Sequence, residues 1–182
     1  MRFSDVTKQY NEAQWNMIRE QCPRPRVAVE LGSYCGLWAG QLLEEHPGVG
    51  ELYCVDRFNN NRTWKLWRAA VAPHREKVTV LPVELEVAEH IWTTTIKEKI
   101  DILYVDADHH FKAVLHDLSF WVPWVRMGGL ILCHDWQMSG PRGAIGRFFG
   151  QENVTIEKFG PRAFCESAWI RKRKEYPPCE SP

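Results

Sequence analysis

From residue 27 onward the chain alternates short apolar runs with longer amphipathic stretches, and that alternation is what most narrows the folds open to it. Short runs buried on both faces belong to a parallel sheet, whose connections need a crossover of about a dozen residues or more, usually a helix. The runs fall at 27–31, 52–55, 78–81, 102–105 and 130–133, the last following a turn at Gly128 and Gly129. Helical candidates lie between them at 37–46, 64–70, 86–96 and 113–121. A short helix at 144–149 then leads to two further runs, 154–159 and 167–170, separated by Gly160 and Pro161 in the manner of an antiparallel hairpin. The expected architecture is α/β: a mostly parallel seven-stranded sheet with helices on both faces and a C-terminal antiparallel hairpin. Ahead of it, Tyr10, Trp15 and Ile18 follow Ser4 and Asp5 at helical spacing and precede Cys22, Pro23 and Pro25, which predicts an amphipathic N-terminal helix within residues 1–22.

With 182 residues, 45% of them apolar, the chain can bury one sizeable core and is short for two. It reads as a single domain over 1–182, with the sheet core at 26–172 and a tail at 173–182. Arg171, Lys172, Arg173 and Lys174 read as part of a solvated end. The 23 basic residues balance the 23 acidic ones, so no net field draws the protein to nucleic acid or an anionic membrane. The six cysteines form no CxxC pair, and the N-terminal segment is polar, which together predict free thiols and a cytoplasmic location. No run approaches the roughly 20 apolar residues that cross a bilayer.

The chemistry-bearing residues cluster where the strands end. The first strand runs into Glu30, Leu31, Gly32, Ser33, Tyr34, Cys35 and Gly36, a glycine turn that lets a ligand approach bare backbone or simply tightens a connection. A dinucleotide site would need glycine at Tyr34, so a ligand without a pyrophosphate fits better, and Glu30 offers charge to an ammonium group. Asp56 ends the second strand about 20 residues further on, where a ribose would be held; the alternative is a turn or cap residue in the loop with Arg57. Glu84 and Leu85 follow the third strand. The fourth ends in Asp106, Ala107, Asp108, His109 and His110, and the fifth in His134, Asp135 and Trp136. Neighbouring carboxyl ends of a parallel sheet converge, so Asp106, His134 and Asp135 either meet around one cation or serve substrate binding and helix capping without one.

The runs VELGSYCG, YVDADHHFKAVLHDLSFW and GGLILCHDW, with the ending ESAWIRK, resemble the class I S-adenosylmethionine-dependent methyltransferases, in particular the small-molecule O-methyltransferases of methyltransferase family 24. The resemblance covers residues 26–172 and implies a Rossmann-like fold. It implies that Glu30, Gly32, Ser33 and Gly36 line the methionine and ribose parts of S-adenosylmethionine, that Asp56 holds the ribose with Arg57 beside it, that Glu84 and Leu85 flank adenine, and that Asp106 borders the cofactor. In metal-dependent relatives an acidic trio holds magnesium at the positions of Asp106, His134 and Asp135; His134 departs from that pattern. Asp108 matches a general base proposed in the antibiotic-sugar branch, and His109 is its rival.

The function this implies is methyl transfer to a hydroxyl of a sugar, phenol or natural product, with alignment and proton removal as the enzyme's main tasks. The alternatives are a non-catalytic cofactor-binding or assembly protein on the same fold and, from the sheet alone, an NAD-dependent oxidoreductase. A nucleic-acid methyltransferase would carry an Asn/Asp-Pro-Pro-Tyr/Phe run after the fourth strand, which this chain lacks. Most of the tryptophans read as packing, with Trp136 set near the acceptor. Little inserted material is left to form a lid, so the expected acceptor pocket is either shallow or completed by a second copy of the chain.

Overall fold

A computed structural model describes residues 12–158 and 166–176. Helix α1 (Glu12–Gln21) comes first, followed by β1 (Val27–Leu31), α2 (Leu37–Glu45), β2 (Glu51–Val55), α3 (Asn61–Val71) and β3 (Val78–Leu81). Then follow α4 (Leu85–Ile91), β4 (Ile100–Val105), α5 (Phe111–Trp121), β5 (Val125–Cys133), α6 (Ser139–Phe149), β6 (Thr155–Lys158) and β7 (Glu166–Arg171). The seven strands form one sheet in the order β3-β2-β1-β4-β5-β7-β6, with β1 to β5 mutually parallel and β7 antiparallel to both β5 and β6. The expected hairpin is therefore present, with β7 inserted between β5 and β6; its Gly160 and Pro161 turn, like the start of the N-terminal helix, lies outside the described residues.

Period-two alternation feeds two cores. Val29, Leu31, Tyr53, Val55, Leu103 and Val105 face one side of the sheet and pack with Trp92, Leu118, Trp121 and Ile145 from the helices after β3. Ala28, Leu52, Cys54, Ile102 and Tyr104 face the other and pack with Ile18, Trp38, Leu42 and Trp67 from α1 to α3. Burial on both faces is why these strands read as unbroken apolar runs. The large aromatics set the spacing between helices and sheet: Trp38 stacks on Tyr104 with centroids 4.3 Å apart, and Trp92 meets Trp121 edge to face at 5.1 Å.

Several boundaries differ from expectation, among them the start of α6, at Ser139 rather than residue 144. Helix α3 starts at Asn61 because Asn60 caps it, its side chain accepting from the Arg62 amide at 2.8 Å. The stretch expected as one helix over 86–96 is α4 followed by a π turn, Trp92–Ile96, ended by Lys97 in the left-handed region. Strand β5 begins five residues before Leu130 and absorbs Gly128 and Gly129 through a register shift against β4.

The C-terminal expectation is corrected. Lys172, read as part of a solvated basic end, is buried, and its ammonium donates to the Val125 carbonyl at 2.8 Å, the Val122 carbonyl at 3.4 Å and Glu175 Oε2 at 2.8 Å. Tyr176, placed in the tail, is buried against Phe148 and Phe149. The core thus extends past residue 172, because the ammonium satisfies carbonyls at the start of β5 that would otherwise be stranded.

Candidate active site

In four of the five parallel strands the residue just past the strand end donates its amide to the last carbonyl of the neighbouring strand. The amides of Asp56, Gly32, Asp106 and His134 donate to the carbonyls of Leu81, Val55, Leu31 and Val105, at 3.3, 2.9, 2.9 and 3.0 Å. Gly32, Asp56, Asp106 and His134 are thereby set side by side along the carboxyl edge. Strand order reverses between β1 and β4, which opens the crevice where open α/β sheets bind ligands.

That crevice is a cleft of about 610 Å³ lined by Gly32, Tyr34, Asp56, Arg57, Glu84, Leu85, Ala107 and Asp108. Five of the nine residues assigned to the cofactor are among these. Gly32 has two reasons to be glycine: its φ is +84°, and a Cβ there would stand 2.2 Å from the Asp106 carbonyl oxygen. The β1 turn and the β4 loop pass that closely, so the cleft wall at this point is backbone.

Asp56 takes the turn role that its position in the loop allows. Oδ1 accepts from the Phe58 amide and Oδ2 from the Tyr34 amide, each at 2.8 Å, so the carboxylate ties the β2 loop to the glycine turn. A carboxylate has about four lone-pair sites, which leaves each oxygen capacity for a hydroxyl from the cleft. Arg57 and Glu84 pair at 3.6 Å across the mouth, both largely exposed, a contact worth little in water.

The other four assigned residues stand off the cleft lining. Glu30 is buried behind the turn and accepts from the Ser33 hydroxyl, which in turn accepts from Trp67 Nε1 at 2.8 Å. Burial pushes Glu30 up to about 8, against the Ser33 hydrogen bond, so at neutral pH it is mainly uncharged. Gly36 closes the turn, its amide donating to the Ser33 carbonyl at 2.7 Å. Asp106 faces a small neighbouring void with His109 and His134.

Around that void Asp106, His134 and Asp135 present three possible ligand atoms within 4.8 Å of one another. His134 Nδ1 lies 3.4 Å from Asp106 Oδ1 and 3.1 Å from Asp135 Oδ2. Burial alone would lower the imidazole, yet the two carboxylates outweigh it and hold His134 up at about 10. The same pairing pulls Asp135 down to about 2, while burial raises Asp106 despite His134. Asp135 adopts φ +55°, a conformation that aspartate tolerates better than most residues, and is further held by Gln137 Nε2 at 2.6 Å. His109 joins from the β4 side, with Nε2 2.7 Å from Asp135 Oδ2. Asp108, by contrast, is committed to His110, accepting from its amide at 2.7 Å and lying 2.6 Å from its Nδ1, contacts that hold its carboxyl below the usual range.

The sequence reading missed Lys112, Ala113, His116 and Asp117 of α5, which close the cleft from the side of the helices. They sit on a helix whose buried face carries Val114, Leu118 and Trp121, and its pattern does not mark which of the other residues meet a cleft. Trp136, expected beside the acceptor, is instead part of the core under α4 to α6.

Comparison with solved structures shows the same fold. O-methyltransferase TomG from Streptomyces achromogenes, described in complex with S-adenosylmethionine, matches with a TM-score of 0.71 at 12% identity over 96% of this chain and 82% of its own. An O-methyltransferase from Bacillus cereus in complex with S-adenosylhomocysteine matches with a TM-score of 0.68 at 14% identity, over 94% and 82%. CalS11, a TDP-rhamnose 3'-O-methyltransferase of calicheamicin biosynthesis, matches at 0.69 and 13%, over 93% and 80%. No curated protein sequence matches the chain. The family model described as "Methyltransferase domain", that of methyltransferase family 24, matches residues 29–136, the stretch that carries the glycine turn, Asp56 and the acid and histidine cluster. On that match and this architecture, the chain belongs to methyltransferase family 24 and is a class I S-adenosylmethionine-dependent methyltransferase.

Proposed function

We propose that the protein transfers a methyl group from S-adenosylmethionine to a hydroxyl of a small molecule, with the cofactor in the 610 Å³ cleft and the acceptor over the His109, His134 and Asp135 cluster. The observation that carries this reading is the adjacency of the two: the Gly32 turn that walls the cleft touches the backbone of Asp106, the first acid of the cluster. The residues fit the cofactor, since Gly32 leaves bare backbone against the cleft and Asp56 keeps acceptor capacity for a ribose. When bound, S-adenosylmethionine supplies a sulfonium methyl that is already electrophilic. The chain's part is to align the acceptor and take its proton. His109 suits the second role better than Asp108, because Asp135 orients its ring whereas His110 occupies the Asp108 carboxylate.

Asp106, His134 and Asp135 also fit a divalent cation as one nitrogen and two oxygen donors, a set that favours manganese, iron or zinc over magnesium. Such an ion would supply Lewis-acid stabilisation of the acceptor oxygen. Chelation followed by addition of single metals tests this: activity should fall and return with manganese or zinc more fully than with magnesium. Activity untouched by thorough chelation ends the metal proposal and leaves His134 as a protonated hydrogen-bond donor.

TomG and CalS11 are both described as O-methyltransferases, which supports oxygen as the acceptor atom; an acceptor panel that gave methylated amines or carbon alone would overturn it. For the cofactor, calorimetry with S-adenosylhomocysteine should give micromolar binding that Asp56→Ala weakens at least tenfold, about 1.4 kcal/mol. Unchanged binding by Asp56→Ala would remove the ribose role.

A further inference from the structure

Most polar side chains around the cleft already have partners. Asp56 ties two amides, Glu84 faces Arg57, Asp108 is bonded to His110, and His116 lies 3.1 Å from Glu89. Asp117 differs. It lines the cleft from α5, is 2% exposed, and its Oδ2 has no hydrogen-bond partner among the described residues. A buried carboxyl oxygen without a partner is costly to keep, which points to a bond completed by whatever fills the cleft. The walls beside it, Val83, Leu85, Ala107 and Ala113, are apolar and suited to the faces of a flat heterocycle.

We propose that Asp117 reads the amine edge of the cofactor's adenine, one carboxyl oxygen accepting from the exocyclic amine while the other donates to ring N1. This rests on the reading that the cleft takes S-adenosylmethionine. The groups facing Asp117 favour the protonated form that such a pair requires. Glu86 and Glu89 of α4 and Asp108 of the β4 loop are acidic, Cys133 of β5 is a buried thiol, and the basic side chains Lys112 and His116 of its own helix are exposed. Burial, then Glu89, Asp108 and Glu86, push Asp117 up to about 8. A neutral carboxyl presents one donor and one acceptor side by side, the complement of adenine's N1 and amine.

The test is a ligand and protein cycle by calorimetry at pH 7. S-adenosylhomocysteine is compared with the analogue whose purine lacks the 6-amino group, on wild type and Asp117→Leu. Wild type should prefer the amine-bearing ligand by about tenfold, and the preference should collapse toward unity in Asp117→Leu. An equal preference in both proteins overturns the assignment, whereas wild type binding neither ligand overturns the cofactor reading itself. If Asp117→Leu does not fold, Asp117→Asn decides: wild-type affinity should fall by about tenfold per pH unit above pH 8, and the amide, which keeps donor and acceptor without titrating, should hold its affinity through that range. Parallel pH profiles for the two proteins overturn the proposal.

Discussion

Replacing His109 with alanine is expected to lower kcat by about two to four orders of magnitude while leaving the Kd for S-adenosylhomocysteine within about threefold of wild type. The two effects separate because His109 is absent from the lining of the cofactor cleft and instead faces the void beside Asp106 and His134. Its Nε2 is held 2.7 Å from Asp135 Oδ2, and its backbone is pinned by the start of α6, where a Cβ on Gly140 would stand 2.0 Å from the His109 carbonyl oxygen. The ring is therefore oriented by one carboxylate and anchored by close backbone packing, the arrangement that a positioned proton acceptor needs. Asp108→Asn provides the contrast. Its carboxylate already receives the His110 amide and imidazole, so its loss should cost far less in kcat. Steady-state kinetics on the two variants, with calorimetry as the binding control, distinguishes the roles. Full activity in His109→Ala beside a dead Asp108→Asn reverses the assignment.

The sheet was legible because its strands are buried on both faces, and such strands read as uninterrupted apolar runs whatever surrounds them. The site was legible to the extent that it lies at strand ends: Gly32, Asp56, Asp106, His134 and Asp135 follow from strand position alone. What escaped were features set by contacts between elements distant in sequence. Lys172 looks like one more basic residue near the end of the chain, and only the path of β5 past Val125 gives its ammonium carbonyls to bind. Glu30 looks charged in the sequence and is neutralised by burial behind Ser33 and Trp67. Asp117 was hidden inside a helix that reads as amphipathic, because a cleft between α4 and α5 has no one-dimensional signature. Gly128 and Gly129, which read as a turn, are absorbed into β5 because the sheet tolerates a bulge where neighbouring strands supply the pairing.

Trp136→Ala is expected to destabilise the fold by about 3–5 kcal/mol, the cost of emptying a large core site, and to lower Tm by about 10 °C or more. The residue directly follows the His134 and Asp135 pair, which made an acceptor contact the natural sequence reading, but it is 7% exposed and belongs to the core that also holds Ile145 and Phe149 of α6. A side chain that fills the core one residue after Asp135 fixes the backbone of that aspartate, whose φ of +55° depends on its surroundings to be maintained. Loss of the indole should therefore loosen His134 and Asp135 along with the core. Against a total stability of about 5–15 kcal/mol this is a large fraction, so cofactor and acceptor binding should decline together as the folded population shrinks. Thermal melts combined with KM for the acceptor and Kd for S-adenosylhomocysteine separate the two roles. An unchanged Tm with a raised acceptor KM would make Trp136 a contact of the substrate, whereas a depressed Tm with proportionate losses in both affinities identifies it as the packing element that holds the site's second histidine and aspartate in place.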